Sequence, residues 1–318
     1  YFEHIVSFPF VPGHEVVGAL DDGTRVVIEP VLGCAARGIE PACDACSSGD
    51  TGRCGNLAHG HLAPGLQTGY CADTSGGWST LLAAHESQIH AVPAHLDDEQ
   101  AVMVEPAACA VHGALRAQVP DGGLVAVIGA GTLGLLAVAA LRHLTSPGTI
   151  LVGAKHPDQR AQATRLGADL VVEPGEVRRA VRRVTRSHAV GGTMSSGADV
   201  VVDCVGDAAS IGEALAMTRP GGRIVLVGMP GWEHLDLTPL WQREIELVGA
   251  YAYGREVVEG QAVRTFDLAM DLVASADLGR LVSARYPLRR YREAIEHAAS
   301  AGRRGATKIV FDLTQERP

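Results

Sequence analysis

No run of eighteen apolar residues occurs in this 318-residue chain, so the sequence offers no candidate for a membrane-spanning helix. Positive charge is also in deficit. Lys and Arg number 27 against 36 Asp and Glu, a net of −9, which argues against a nucleic-acid partner. No signal peptide is visible, and a cytoplasmic location is expected. The first residue is Tyr1 rather than methionine, so a leading segment is expected before it. An even cysteine count is missing too. The cysteines lie at 34, 43, 46, 54, 71, 109 and 204, and four of them crowd into twenty-one residues. In a cytoplasmic chain such crowding suggests metal more than disulfides. The length suffices for two domains, each with its own core.

The most informative stretch is Leu124–Leu144, LVAVIGAGTLGLLAVAALRHL. Leu124 to Ile128 have the composition of a strand buried on both faces. Gly129, Gly131 and Gly134 form Gly-x-Gly-x-x-Gly, and Leu133 to Leu144 continue as an apolar helix. In a dinucleotide-binding turn the first glycine permits the bend and the second admits a pyrophosphate. The third lets helix and strand pack closely. The helix N-terminus would offer unpaired N–H groups to the phosphates. After it, expected strands at 149–153, 168–172, 198–203, 223–228 and 245–250 alternate with helices at 158–167 and 208–217. That rhythm implies a parallel, doubly wound sheet in an α/β protein. Residues 187–197 are expected as a Gly/Ser loop.

The region before the glycine turn has a different character. Short alternating segments, 15–20 and 24–28, flank the hairpin signal Asp21-Asp22-Gly23, and further strands are expected at 78–83 and 88–92. His14 and Glu15 are adjacent, and both types ligate zinc. Cys34, Cys43, Cys46 and Cys54 lie in a polar loop with little core of its own, separated by eight, two and seven residues. Four thiolates complete a tetrahedral zinc, and such a closed site is structural. A helix beginning near Asp97 carries Glu105, Pro106, Cys109 and His112. Glu105 lies among apolar neighbours, so its carboxylate needs a metal ion or a hydrogen-bond donor. His59 and His61 read as loop packing, Trp78 as core or cleft lining, and Cys71, Cys109 and Cys204 as buried thiols. Arg178, Arg179, Arg182, Arg183 and Arg186 share one helix face, with Val181 and Val184 turned elsewhere, and read as a solvated surface. Helices near 263–274 and 291–301 precede a last strand at 308–312.

Together the Gly-His-Glu at 13–15, the four-cysteine lobe, Glu105-Pro106, the Gly-Ala-Gly-Thr-Leu-Gly turn and Arg219-Pro220-Gly221-Gly222 resemble the zinc-dependent medium-chain alcohol dehydrogenase family. The sorbitol and threonine dehydrogenase branch is the most similar, because Glu105 stands where other branches carry cysteine. The resemblance implies a GroES-like catalytic domain, residues 1–106 with its zinc lobe at 34–54, completed by residues 251–318. A Rossmann domain, residues 107–250, is inserted between. It implies a catalytic zinc with His14 as ligand and Glu15 and Glu105 as ligands or close neighbours. In that family zinc acts as a Lewis acid on the alcohol or carbonyl oxygen during hydride transfer. The family's catalytic cysteine and relay hydroxyl fall before Tyr1 in this numbering. The eight residues Ala35–Ala42 exceed the family's usual two and read as a loop insertion.

The function expected is hydride transfer between NADP(H) and a secondary alcohol, polyol or ketone, by a homodimer or homotetramer with no partner besides the small-molecule substrate. The alternatives are a reductase of an activated C=C or C=N bond with structural zinc only, and a non-catalytic nucleotide-binding subunit. Neither has a use for His14, Glu15 and Glu105. By resemblance Gly129, Gly131, Thr132, Leu133 and Gly134 hold the pyrophosphate, and Val205, Gly206, Val227, Gly228 and Met229 line the nicotinamide and ribose. Cofactor choice follows from another absence. About 20 residues past the last glycine an acidic side chain normally accepts hydrogen bonds from the ribose. Ala154 stands there, followed by Lys155, His156 and Arg160. These favour NADP(H) over NAD(H). The double substitution Ala154→Asp with Lys155→Ala should lower kcat/KM for NADPH while sparing NADH; unchanged NADPH use would contradict this reading.

Overall fold

The structure is a computed structural model that describes residues 5–190, 192–314 and 316. The chain forms two compact units. Of the described residues, the first comprises those within 5–108, 252–300 and 308–316, and the second those within 109–251 and 301–307.

The first unit begins with a hairpin of β1 (Val17–Ala19) and β2 (Arg25–Ile28), in register Val17↔Val27. Its turn is set by Gly23 at φ +85° and by Asp22 Oδ1, which accepts from the Thr24 N–H at 2.8 Å. The one-turn helix α1 (Asp44–Ser47) lies in the cysteine lobe. β3 (Ile89–Ala91) adds antiparallel to β2. The strand expected over Trp78–Ala83 does not form. Ser79 Oγ instead donates to the carbonyls of Gly76 and Leu81, a local alternative that competes with a ladder.

The single helix expected from Asp97 is broken into α2 (Asp98–Ala101) and α3 (Val104–Arg116). Asp97 caps the first, accepting from the Gln100 N–H at 2.8 Å. The break has a simple cause. Pro106 has no N–H and is tolerated only in a helix's first turn, so the helix must restart just before it.

The second unit is built on β4 (Leu124–Ile128), β5 (Thr149–Gly153), β6 (Leu170–Val172), β9 (Ala198–Asp203), β10 (Thr218–Leu226) and β11 (Glu246–Gly249). These make one parallel sheet in the order β11-β10-β9-β4-β5-β6. The helices α4 (Thr132–Leu144), α5 (Pro157–Arg165), α6 (Val177–Thr185) and α7 (Ala208–Met217) alternate with the strands, and a short α8 (Thr238–Gln242) precedes β11. Strand order reverses at β4 and β9, where ligands of such sheets bind at the carboxyl ends. Val125–Val127 and Leu135–Leu141 are buried throughout. Part of 187–197 forms a small hairpin, β7 (Ala189–Val190) and β8 (Thr193–Met194), rather than plain loop; residue 191 lies outside the described residues. On α6 Arg178, Arg179, Arg182 and Arg183 are exposed and Val181 is buried, but Val184 also faces solvent, being 40% exposed; Arg186, expected on the same face, lies past the helix end at φ +53°.

Returning to the first unit, β12 (Arg255–Val258) and β13 (Gln261–Arg264) form a hairpin whose two turn residues, Glu259 and Gly260, have positive φ, the conformation of a tight hairpin turn. Then come α9 (Thr265–Ser275), β14 (Val282–Tyr286), α10 (Tyr291–Ala299) and β15 (Lys308–Phe311), with β14 parallel to β15. A buried carboxylate fastens this unit. Glu29 Oε1 accepts from Thr51 Oγ1 at 3.3 Å, and Oε2 pairs with His90 at 2.9 Å and with Arg264. Burial alone would raise the Glu29 pKa, but the His90 hydrogen bond and the Arg264 charge together hold it below the ordinary value. Among the described residues no helix is long and apolar enough to cross a membrane.

A Cβ on Gly134 would fall 2.0 Å from the Gly129 carbonyl oxygen, whereas one on Gly131 would meet nothing within 4 Å. Gly134→Ala should therefore cost about 1–3 kcal/mol of unfolding free energy in urea titrations, and Gly131→Ala less than about 0.5 kcal/mol. Equal costs would contradict this packing.

Candidate active site

Three side chains from distant parts of the first unit converge. His14 and Glu15 follow Gly13, whose φ of +100° turns the backbone sharply. This turn is clamped on both sides. A Cβ on Gly69 would lie 2.6 Å from the Gly13 carbonyl, while Gly77 N–H donates to Gly13 O at 2.8 Å and Trp78 N–H to Pro12 O at 2.9 Å. Glu105 projects from the first turn of α3 and is only 4% exposed. One potential ligand atom from each of His14, Glu15 and Glu105 lies within 4.8 Å of the others.

The surroundings tune these groups. The Tyr253 hydroxyl donates to Glu105 Oε1 at 2.9 Å, and Lys308 forms an ion pair with Glu15 Oε2. The Tyr70 ring packs on the His14 ring at 5.3 Å between centroids. Burial lowers the His14 pKa; the Glu15 charge opposes this and the Lys308 charge adds to it. Burial raises the Tyr70 pKa, helped by the charges of Glu15 and Glu105. A neutral imidazole with two carboxylates is a donor set that suits zinc, with a position left for water or substrate. A cavity of about 1340 Å³ opens beside His14 and Glu15, lined also by Tyr70, Trp78, Lys308 and Phe311. Trp78, which the sequence left between core and cleft, touches Phe311 edge-on at 4.8 Å and faces this cavity. Tyr70, Tyr253 and Lys308 were not foreseen from sequence.

The four cysteines of the lobe also converge, with Cys34, Cys43, Cys46 and Cys54 sulfurs within 4.8 Å of one another. The Cys34–Cys54 separation is 3.7 Å and Cys43–Cys54 is 4.0 Å. Disulfides would need about 2.05 Å, whereas ligands about 2.3 Å from a tetrahedral zinc would stand roughly 3.8 Å apart. Donors already point at the sulfurs. The N–H groups of Cys34, Cys43 and Asn56 approach the sulfurs of Cys46, Cys34 and Cys54, each at 3.4 Å, and Asn56 Nδ2 approaches Cys34 Sγ at 3.3 Å. Backbone N–H groups of Cys46 and Gly55 bring the Cys43 thiol down to about 6, while burial pushes Cys46 and Cys54 up. The set fits a structural zinc.

In the second unit the glycine turn joins β4 to α4. Gly129 has φ +90° and Gly131 precedes the first turn of α4, exposed and open above its Cα. Thr132 Oγ1 donates to the Thr307 carbonyl at 3.1 Å, so this hydroxyl is engaged within the protein. Leu133 is half-buried. At the end of β9 the buried Asp203, unremarked in the sequence, shapes the next turn. Its Oδ1 accepts from the N–H groups of Val205 at 2.9 Å and Gly206 at 3.1 Å, and its Oδ2 from Ser210 Oγ at 2.7 Å. Gly206 lies against the Gly228–Met229 backbone. Val205 and Met229 are exposed, at 47% and 68%. Val227 is buried against Gly113, so only its backbone can face a ligand.

Beyond β5, Ala154 is buried and Lys155 exposed. The His156 ring packs on Gly302. Arg160 Nη1 donates to the carbonyls of Ala154 at 3.3 Å and Lys155 at 3.1 Å, and lies 3.7 Å from Glu173. Arg160 therefore braces the turn, and Lys155 is the cation open to a ligand.

Residues 132–273 match the model of the family described as zinc-binding dehydrogenase. The chain is 26% identical to the sorbitol dehydrogenase of Bacillus subtilis, over 93% of this chain and 79% of that protein. It is 28% identical to L-idonate 5-dehydrogenase of Vitis vinifera, over 97% and 81%. These matches make the chain similar to the zinc-dependent medium-chain dehydrogenases. This dehydrogenase shares its fold with an alcohol dehydrogenase from Thermus sp. ATN1, at TM-score 0.73 and 24% identity over 96% of this chain and 84% of that one. It also shares it with a putative zinc-binding dehydrogenase from Sinorhizobium meliloti 1021 bound to NADP, at TM-score 0.74 and 24% identity over 96% and 85%. The dehydrogenase is thus an oxidoreductase with a Rossmann unit and a catalytic unit.

Partners that orient a ligating carboxylate are worth about 10–100-fold in metal affinity. Removing the hydroxyl in Tyr253→Phe should weaken zinc retention at His14, Glu15 and Glu105 in a chelator titration by about tenfold or more. Unchanged retention would contradict the role given to Tyr253.

Proposed function

We propose that the dehydrogenase transfers hydride between NADP(H) and a secondary alcohol, a polyol or the corresponding ketone, using a catalytic zinc. The observation that carries this reading is the convergence of His14, Glu15 and Glu105, whose ligand atoms lie within 4.8 Å of one another and together make a donor set for zinc. His14 and Glu105 would be ligands. Glu15, shared with Lys308, would be a third ligand or would balance the charge beside it. A zinc ion held there supplies a Lewis acid that polarises the substrate oxygen and eases its deprotonation.

The remaining roles fall to the chain's own groups. Tyr253 holds Glu105 in one orientation through its hydroxyl. Burial keeps His14 neutral and its lone pair available. In the second unit, Gly131 leaves the pyrophosphate free access to the N–H groups of α4. Asp203 fixes the turn at Val205 and Gly206 beside Gly228. Lys155 would pair with the 2′-phosphate of NADP(H), which no carboxylate at position 154 repels. Cys34, Cys43, Cys46 and Cys54 would hold a structural zinc. In keeping with the family resemblance, we take the active form to be a cytoplasmic homodimer or homotetramer.

The test is turnover of neutral polyols with NADP⁺ and of ketones with NADPH, in the parent enzyme and in His14→Ala. We expect His14→Ala to lose about a hundredfold or more in kcat/KM while still binding NADPH. Full activity in that variant would overturn the reading, as would tight NADPH binding by the parent without hydride transfer to any carbonyl.

A further inference from the structure

We infer that Arg37 is the positioning residue that ties the four-cysteine metal lobe to the segment leading to Tyr70; this rests on the structural-zinc reading proposed above. Arg37 belongs to Ala35–Ala42, the eight residues separating Cys34 from Cys43. An insertion in a polar loop is ordinarily solvated, but Arg37 is fully buried. Its Nε donates to the Leu32 carbonyl at 3.1 Å. Its Nη1 reaches the carbonyls of His59, Leu62 and Ala63 at 3.2, 3.2 and 3.3 Å, and Nη2 that of Gly65. The planar fork of guanidinium donors suits such divergent acceptors, and a lysine could not match it.

These carbonyls satisfy the donors without neutralising the charge. Among the described residues no carboxylate pairs with Arg37, and a buried cation lacking an opposite charge is costly. The backbone around it is fixed to the lobe as well. Arg37 N–H donates to the Cys34 carbonyl at 3.1 Å, and the Ala63 carbonyl accepts from both Arg37 Nη1 and Cys71 Sγ. Four thiolates around one divalent zinc carry a formal charge of about −2. Metal loading fixes Cys34, and the Arg37 contacts beside it carry that order to residues 59–65.

The same contacts reach further. Gly65 leads into Gln67, which pairs with Val31, and into Thr68, whose N–H donates to the Pro30 carbonyl. Gly69 and Tyr70 follow, against Gly13 and His14. Arg37 is therefore a positioning residue that joins the cysteine lobe to one wall of the candidate active site.

The experiment measures zinc release from the lobe to a chelator and hydrogen exchange in residues 57–65, in the full chain and in Arg37→Gln and Arg37→Lys. We expect Arg37→Gln to release lobe zinc about tenfold faster or more and to exchange faster in 57–65. Arg37→Lys, which keeps the charge but not the fork, should release zinc and exchange faster than the parent, as Arg37→Gln does. A folded Arg37→Gln protein that releases zinc at the parent rate would overturn the proposal. If that variant does not fold, the parent stripped of lobe zinc decides: faster exchange in 57–65 supports the coupling, and unchanged exchange overturns it. Should Cys43→Ser hold as much zinc as the parent, the structural-zinc reading itself fails, and this proposal with it.

Discussion

A charge taken out of water must meet an opposite charge or a set of donors, and the first unit is arranged around that requirement. Glu105 begins a helix whose start is dictated by Pro106, and the helix carries it into the interior. There the Tyr253 hydroxyl and the His14–Glu15 turn surround it. Burial favours the neutral imidazole and leaves two carboxylates close together, an arrangement that a divalent cation relieves. Glu29 obeys the same rule with protein partners alone, through Thr51, His90 and Arg264. Glu29 is closed off by these groups, whereas Glu15 and Glu105, though held by Lys308 and Tyr253, still lie with His14 within ligand reach of one another.

In the second unit the constraint is space rather than charge. Gly134 lies so near the Gly129 carbonyl that no side chain fits, and that contact sets how α4 leaves β4. Gly131, in the same turn, faces open space. One motif thus holds a glycine the packing requires and a glycine that leaves its surroundings open. Asp203 completes this end of the sheet by capturing the N–H groups of Val205 and Gly206. These N–H groups would otherwise be unpaired at the strand end.

Much of this was legible in the chain before folding. The strand Ala198–Asp203 and the helix Ala208–Met217 have the expected bounds, because buried parallel strands and capped helices leave strong apolar patterns. The cysteine cluster was legible from spacing, and Glu105 from the cost of burying a carboxylate. What escaped had physical reasons. Tyr253 lies 148 residues from Glu105, and no local pattern marks a single long-range hydrogen bond. Arg37 spends its donors on backbone carbonyls, which leave no trace in side-chain composition. Trp78–Ala83 reads as a strand from sequence, yet Ser79 diverts the backbone carbonyls there. The hairpin β12–β13 escaped because its turn, Glu259-Gly260, puts a non-glycine residue at positive φ.

The central claim is that the first unit holds two chemically different metal sites, one closed by sulfur and one open to substrate. Zinc content measured by mass spectrometry on the parent, His14→Ala and Cys43→Ser proteins tests it most directly. The account predicts about two zinc ions per chain in the parent and about one in each variant. A parent with about one zinc, lost on Cys43→Ser and unaffected by His14→Ala, would contradict it and leave His14, Glu15 and Glu105 without a metal.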